Sequence, residues 1–156
     1  PLMHIIAGKA VAFGEALLDS YFCSYQERLA ELLQRGGGTA GERLMSYWQL
    51  WLDTQANDGP DGKCLAVKLG GEVSDLSEAM RSALERGTSR IVDMIAACIR
   101  DAQADASLSA DLNAADCALV LYNLWLGATV LTKIRRNRSA LEAAMVATRQ
   151  LLSVAS

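Results

Sequence analysis

Residues 58–69, DGPDGKCLAVKL, place a thiol where a thiol can react. A turn-rich run, Asp58, Gly59, Pro60, Asp61 and Gly62, gives way to an apolar segment that reads as a short helix from near Gly62 to about Glu72. Cys64 falls in the first turn of that helix, with Lys63 beside it and Lys68 one turn on. A cysteine reacts as its thiolate, and the ordinary thiol pKa is ~8.5. A helix start carries about half a positive charge and free amides, and a neighbouring ammonium adds to this. Each feature favours the thiolate, so Cys64 is the candidate reactive thiol and Lys63 a candidate tuning residue. The competing reading is that Cys64 packs inward as a small apolar residue.

The other chemistry-bearing residues point elsewhere. Cys98 falls on the apolar face of a long helix and Cys117 in an almost wholly apolar one, so both read as core. Cys23 is intermediate. None of the three combines a helix start with a lysine. The four cysteines contain no CxxC pair and His4 is the single histidine, which argues against a zinc site. No cofactor is implied. Paired acid and base, or a nucleophile with a histidine, is not apparent, so an enzyme is not expected. The wide cysteine spacing and the lack of a signal peptide suggest a reducing cytoplasm.

The elements that position these residues are helices. The chain has 156 residues, two prolines and 51% hydrophobic residues, enough for one domain with a sizeable core. Residues 9 to 35 predict a long helix with Leu18, Phe22, Tyr25, Leu29 and Leu32 on one face, stopped by Gly36-Gly37-Gly38. Thr39 and Glu42 form a capping-box pattern for a helix to about Ala56, with Leu44, Tyr47, Trp48, Trp51, Leu52 and Gln55 on one side. Ser77 caps a helix to about Ala104 whose buried face is Met80, Leu84, Ile91, Ile95 and Cys98, with Gly87 marking a kink or a close contact. Asn113 caps AADCALVLYNLWLGATVLTKI, and Ser139 to about Ser153 forms the last helix, with Leu141, Ala144, Met145, Thr148 and Leu152 on one side.

The helix after Asn113 is apolar almost all round, so it is either deeply buried or in a membrane. Asp116 and Asn123 would then lie in lipid, so no membrane is expected. Two apolar helices in so small a chain predict a homodimer, with the last two helices of each copy forming a four-helix bundle. Trp48, Trp51, Tyr122 and Trp125 are candidates for an effector pocket or for plain core. Asn123 is a pocket hydrogen-bond group or a register device. The basic run KIRRNR, Lys133 to Arg138, reads as a helix C-terminus and turn. With a net charge of −3 and a pI near 5.1, the chain does not have the basic balance of a nucleic-acid binder.

Three runs in this order, KAVAFGEALLDSYF, KCLAVKLGGEVSDLSEAMRSALERG and LYNLWLGATVLTKI, resemble the regulatory domain of TetR-type transcriptional repressors, most closely the NemR-type branch that senses electrophiles and reactive chlorine species. The resemblance spans about Lys9 to Leu152. It implies an all-α effector-binding and dimerisation domain over residues 9–156. Residues 1–8 would be a remnant of, or an altered linker to, an absent helix-turn-helix domain. In MHIIAGKAVAF, His4 and Lys9 match the family's linker, but Ile5 and Ile6 replace its aromatic residues. Operator DNA would be bound only through that missing domain, so this chain alone is not expected to bind an operator. The resemblance also implies that Cys64 is the redox-sensing thiol and Lys133 its partner. The effector would be a small electrophile, an oxidant or a small apolar ligand; in the last case Cys64 is inert.

Overall fold

The computed structural model describes residues 2–55, 66–68, 72 and 77–153. Five long helices make up the described chain: α1 (Leu2–Arg35), α2 (Ala40–Gln55), α3 (Glu78–Ala104), α4 (Ala114–Arg135) and α5 (Ser139–Leu151). The expected all-α architecture is what is found. The predicted short helix from Gly62 lies largely outside the described residues, of which 66–68 and 72 are helical.

α1 begins seven residues before the expected start at Lys9. Leu2 to Lys9 contains no proline, and a single interior glycine costs a helix only about 1 kcal/mol, too little to end it at Gly8. Its buried face is Leu18, Phe22, Leu29 and Leu33, while Tyr25 and Leu32 are half-buried. α1 ends at the glycine run, where Gly38 takes a φ of +83°. Arg43, one turn into α2, reaches back and donates to Leu33 O and Gly38 O at 2.8 Å each, satisfying carbonyls at the end of α1.

The start of α2 uses every free amide. Thr39 N donates to Glu42 Oε2 (2.8 Å), and Glu42 N donates to Thr39 Oγ1 (3.2 Å), the reciprocal cap expected from sequence. Ala40 N donates to Asp105 Oδ2 (2.7 Å) and Gly41 N to Ser107 Oγ (2.9 Å), both from the α3–α4 loop. Ser77 and Asn113 cap α3 and α4 as the sequence indicates, accepting from Met80 N (3.3 Å) and Asp116 N (3.0 Å).

α3 is the central helix and packs against α1, α2 and α4. Gly87 lets α1 approach: a Cβ there would fall against the Phe22 ring. α4 is long and apolar enough to cross a membrane, yet 44% of that stretch is buried within the body. Cys117, Ala118, Leu121, Tyr122, Trp125, Ala128, Thr129 and Thr132 face inward. Leu119, Val120, Val130, Leu131 and Ile134 stay exposed, as does Val146 on α5.

Candidate functional site

Cys64 and Lys63 lie outside the described residues. Lys133 is exposed in the last turn of α4, with no ion pair among the described residues. The other three cysteines are free thiols in distinct settings. Cys98 is buried beneath the α1–α2 junction, its Sγ 3.5 Å from Ala40 O and 3.9 Å from Leu33 O. Burial pushes its pKa up to about 11, with only the Arg43 charge opposing. Burial likewise raises Cys117. Cys23 is exposed on α1, its Sγ 3.9 Å from the Glu27 carboxylate.

The aromatic residues of α2 and α4 meet in the core. Trp48 and Trp125 stack with centroids 5.2 Å apart and planes 13° apart. Trp51 bridges Tyr122 and Trp125, at 6.0 Å from each. Tyr47 packs on Trp48 at 4.7 Å, and its hydroxyl is 2.6 Å from that of Tyr25 on α1. Two threonines serve the indoles. Trp51 Nε1 donates to Thr129 Oγ1 and Trp125 Nε1 to Thr148 Oγ1, both at 2.9 Å. Each threonine hydroxyl in turn donates to a carbonyl one turn back, Trp125 O and Ala144 O. Sequence reasoning placed Thr148 on the inner face of the last helix but did not single out Thr129 or pair either threonine with an indole. The signal was threonine on largely apolar faces, Thr129 and Thr132 on α4 and Thr148 on α5.

Trp48 breaks the pattern. It is fully buried and its Nε1 has no hydrogen-bond partner among the described residues; the buried Oε1 of half-buried Gln55, two turns further along α2, likewise has none among them. A buried unpaired donor or acceptor costs about 1–3 kcal/mol.

The expected pocket residues therefore separate. Trp48, Trp51 and Trp125 fill the core between α2 and α4. Tyr122 and Asn123 line an open groove of about 360 Å³ between α3 and α4, with Thr88, Ser89, Val92, Asp93, Leu119 and Leu126. Its polar groups from α3 were not singled out in the sequence, because only the α3–α4 crossing brings them beside Asn123.

A family model described as a tetracyclin repressor-like C-terminal domain matches residues 40–148. The chain is 36% identical over 142 residues to the HTH-type transcriptional repressor NemR of Escherichia coli K12, covering 91% of this chain and 71% of that one. It is 30% identical over 131 residues to the HTH-type transcriptional repressor DhaR of Mycobacterium sp. strain GP1, covering 84% and 64%. The crystal structure of reduced Escherichia coli NemR superposes with a TM-score of 0.85 at 36% identity, covering 93% of this chain and 75% of that one. A putative TetR/AcrR-family regulator gives 0.78 at 34%, covering 90% and 74%. These likenesses do not confirm the expected absence of a helix-turn-helix, and α1 and α2 cover the N-terminal part of the chain.

Proposed function

The chain belongs to the tetracyclin repressor-like (TetR) family of transcriptional regulators, and from that premise we propose that it is the effector-sensing and dimerisation part of a cytoplasmic repressor that senses electrophiles or oxidants through Cys64 and then releases DNA. Under this reading residues 9–156 are the regulatory domain, and Lys63 and Lys133 tune or partner the thiol. The effect on DNA is a population shift: modification favours a dimer whose DNA-reading parts no longer match the operator spacing.

One observation carries the assignment of the thiol. Cys98 and Cys117 are buried with raised pKa values, and Cys23 lies beside a carboxylate rather than a lysine. Cys64 alone has a neighbouring lysine and a sequence that opens a helix. Homodimerisation is supported by the exposed apolar residues Val120, Leu131 and Ile134 of α4 and Val146 of α5, which a matching face on a second copy would cover.

The test is peptide mapping after less than one equivalent of N-ethylmaleimide at neutral pH. The thiolate sulfur adds to the maleimide double bond, forming one C–S bond, and the adjacent carbon takes a proton from water. First labelling at Cys64, slowed by Lys133→Met, is the expected result. First labelling at Cys23 would sink the sensor assignment.

A second reading is a receptor for a small apolar ligand with Cys64 inert. The unpaired Trp48 Nε1 favours it, as a donor that an acceptor on the ligand would satisfy. The two readings part on Cys64→Ser, which abolishes the response only in the first.

A further inference from the structure

We propose that Gly127 is the point of closest approach between two copies of this chain, where a helix of the second copy crosses α4 backbone to backbone. The inference deepens the dimerisation reading above and rests on it. It starts from a glycine that nothing within the chain requires. Glycine in a helix interior is less favourable than alanine, so it points to a neighbour that leaves no room for a side chain. Gly14 leaves room for Met80, Gly41 for Ser107 and Gly87 for Phe22. A Cβ at Gly127 would meet nothing within 4 Å among the described residues. Gly8 shares that condition, but it lies within the first two turns of α1, where a helix frays and glycine costs less. Gly127 is the fourteenth of the 22 residues of α4.

The residues around Gly127 are the second observation. Asp116, Val120, Asn123, Gly127, Val130 and Ile134 are all exposed, and they follow one another at spacings of four and three. That spacing forms the seam along which one helix lies on another. Val120 is 53%, Val130 40% and Ile134 70% exposed, and exposed Leu119 and Leu131 flank them. Gly127 is a gap in the middle of this ridge. Two helices seated on such a seam lie about 8–10 Å apart. A missing side chain at the crossing lets the backbones come closer, so that the flanking apolar side chains meet.

The chemistry of the face selects a second copy as its occupant. A two-fold contact sets a patch against itself, and like charges on that patch would repel. α4 carries no charged residue from Cys117 to Thr132; Asp116 and Lys133 bracket a neutral stretch. An unlike partner would be free to use charge for recognition, and this face offers none around Gly127. α5, which packs on α4, adds the exposed Val146 to the apolar surface.

The test measures the dimer dissociation constant of the full chain by sedimentation for wild type, Gly127→Ala and Gly127→Leu. On a helix face that nothing touches, alanine is the better residue and Gly127→Ala stabilises the fold. At a close crossing the added methyl holds the backbones apart. The dissociation constant should then rise about tenfold, and further for Gly127→Leu. The sign should reverse in Leu131→Glu/Val146→Glu, whose charges block the same face: there the addition of Gly127→Ala should raise the melting temperature. That reversal separates a lost contact from a damaged helix. Dissociation constants unchanged or lowered by both substitutions overturn the inference and leave the dimerisation reading standing. Equal loss of thermal stability in both backgrounds also overturns it. A wild type that stays monomeric, or that binds phosphatidylcholine vesicles through this face instead, overturns both.

Discussion

Phe22 on α1 occupies the space that a side chain on Gly87 of α3 would need. Both residues are buried, and the Gln26 side-chain amide of α1 also donates to Gly87 O at 3.5 Å. The contact fixes how closely α1 lies on the central helix. Gly87→Ala gains about 1 kcal/mol of helix propensity. It must also displace a rigid ring, and overpacking of that kind costs about 1–3 kcal/mol. Net destabilisation of up to about 2 kcal/mol is the expected outcome of urea unfolding. Gly14→Ala is the control: there the Cβ meets the flexible end of Met80, at 2.8 Å from Cε, and the side chain swings away at little cost. Equal losses for the two variants would refute the close-approach account.

The indole–threonine pairs give a second expectation. Thr129→Val keeps the shape but strands Trp51 Nε1 in the core. A buried donor left unpaired costs about 1–3 kcal/mol, and Thr148→Val should cost a similar amount through Trp125. Chemical denaturation measures both. A neutral Thr129→Val would mean that the pair contributes nothing.

Asp105 predicts a pH dependence. Hydrogen bonds from Ala40 N–H and then Ser107 hold its carboxyl below the usual carboxylate range. A lowered folded-state pKa adds stability above the unfolded value of ~3.9, lost as pH falls through the folded pKa. Wild type should therefore melt above Asp105→Ala at pH 7, and the gap should close as the solution is acidified below that unfolded value. A gap independent of pH would show that the carboxylate's charge is irrelevant.

The buried thiols set a fourth expectation. With Cys98 pushed up to about 11 and Cys117 raised, neither supplies appreciable thiolate at neutral pH. Excess maleimide should leave both unlabelled until denaturant is added, whereas exposed Cys23 reacts in the folded chain. Rapid labelling of Cys98 in buffer would contradict the packing beneath the α1–α2 junction.

The exposed face of α4 and α5 sets the last. Leu131→Glu with Val146→Glu places charges on the surface proposed for the second copy. Sedimentation should change from a dimer to a monomer with helicity retained. Dimers that survive both charges would move the interface elsewhere.

Much of the helical plan was legible because its signals are local. The Thr39/Glu42 box, the Ser77 and Asn113 caps and the glycine run each act within a few residues, and each stands where the pattern put it. Gly87 read as a kink or a close contact, and it is a close contact. Errors came at a helix edge and a face edge: α1 starts at Leu2 because nothing stops it, and Leu33 rather than Leu32 turns inward. Long-range chemistry was not legible. Asp105 meets Ala40 across 65 positions and Trp51 meets Thr129 across 78, and no local pattern announces either. The groove residues Thr88, Ser89 and Asp93 become neighbours of Asn123 only through the α3–α4 crossing.

The four satisfied amides at the head of α2 have a mechanical consequence. Asp105 and Ser107 bolt that end to the α3–α4 loop, and, eleven residues on, the Trp51 indole pins the other half of the helix to Thr129 of α4. α2 is thus a strut fastened at two points about 16 Å apart, joining the α3–α4 loop to the middle of α4.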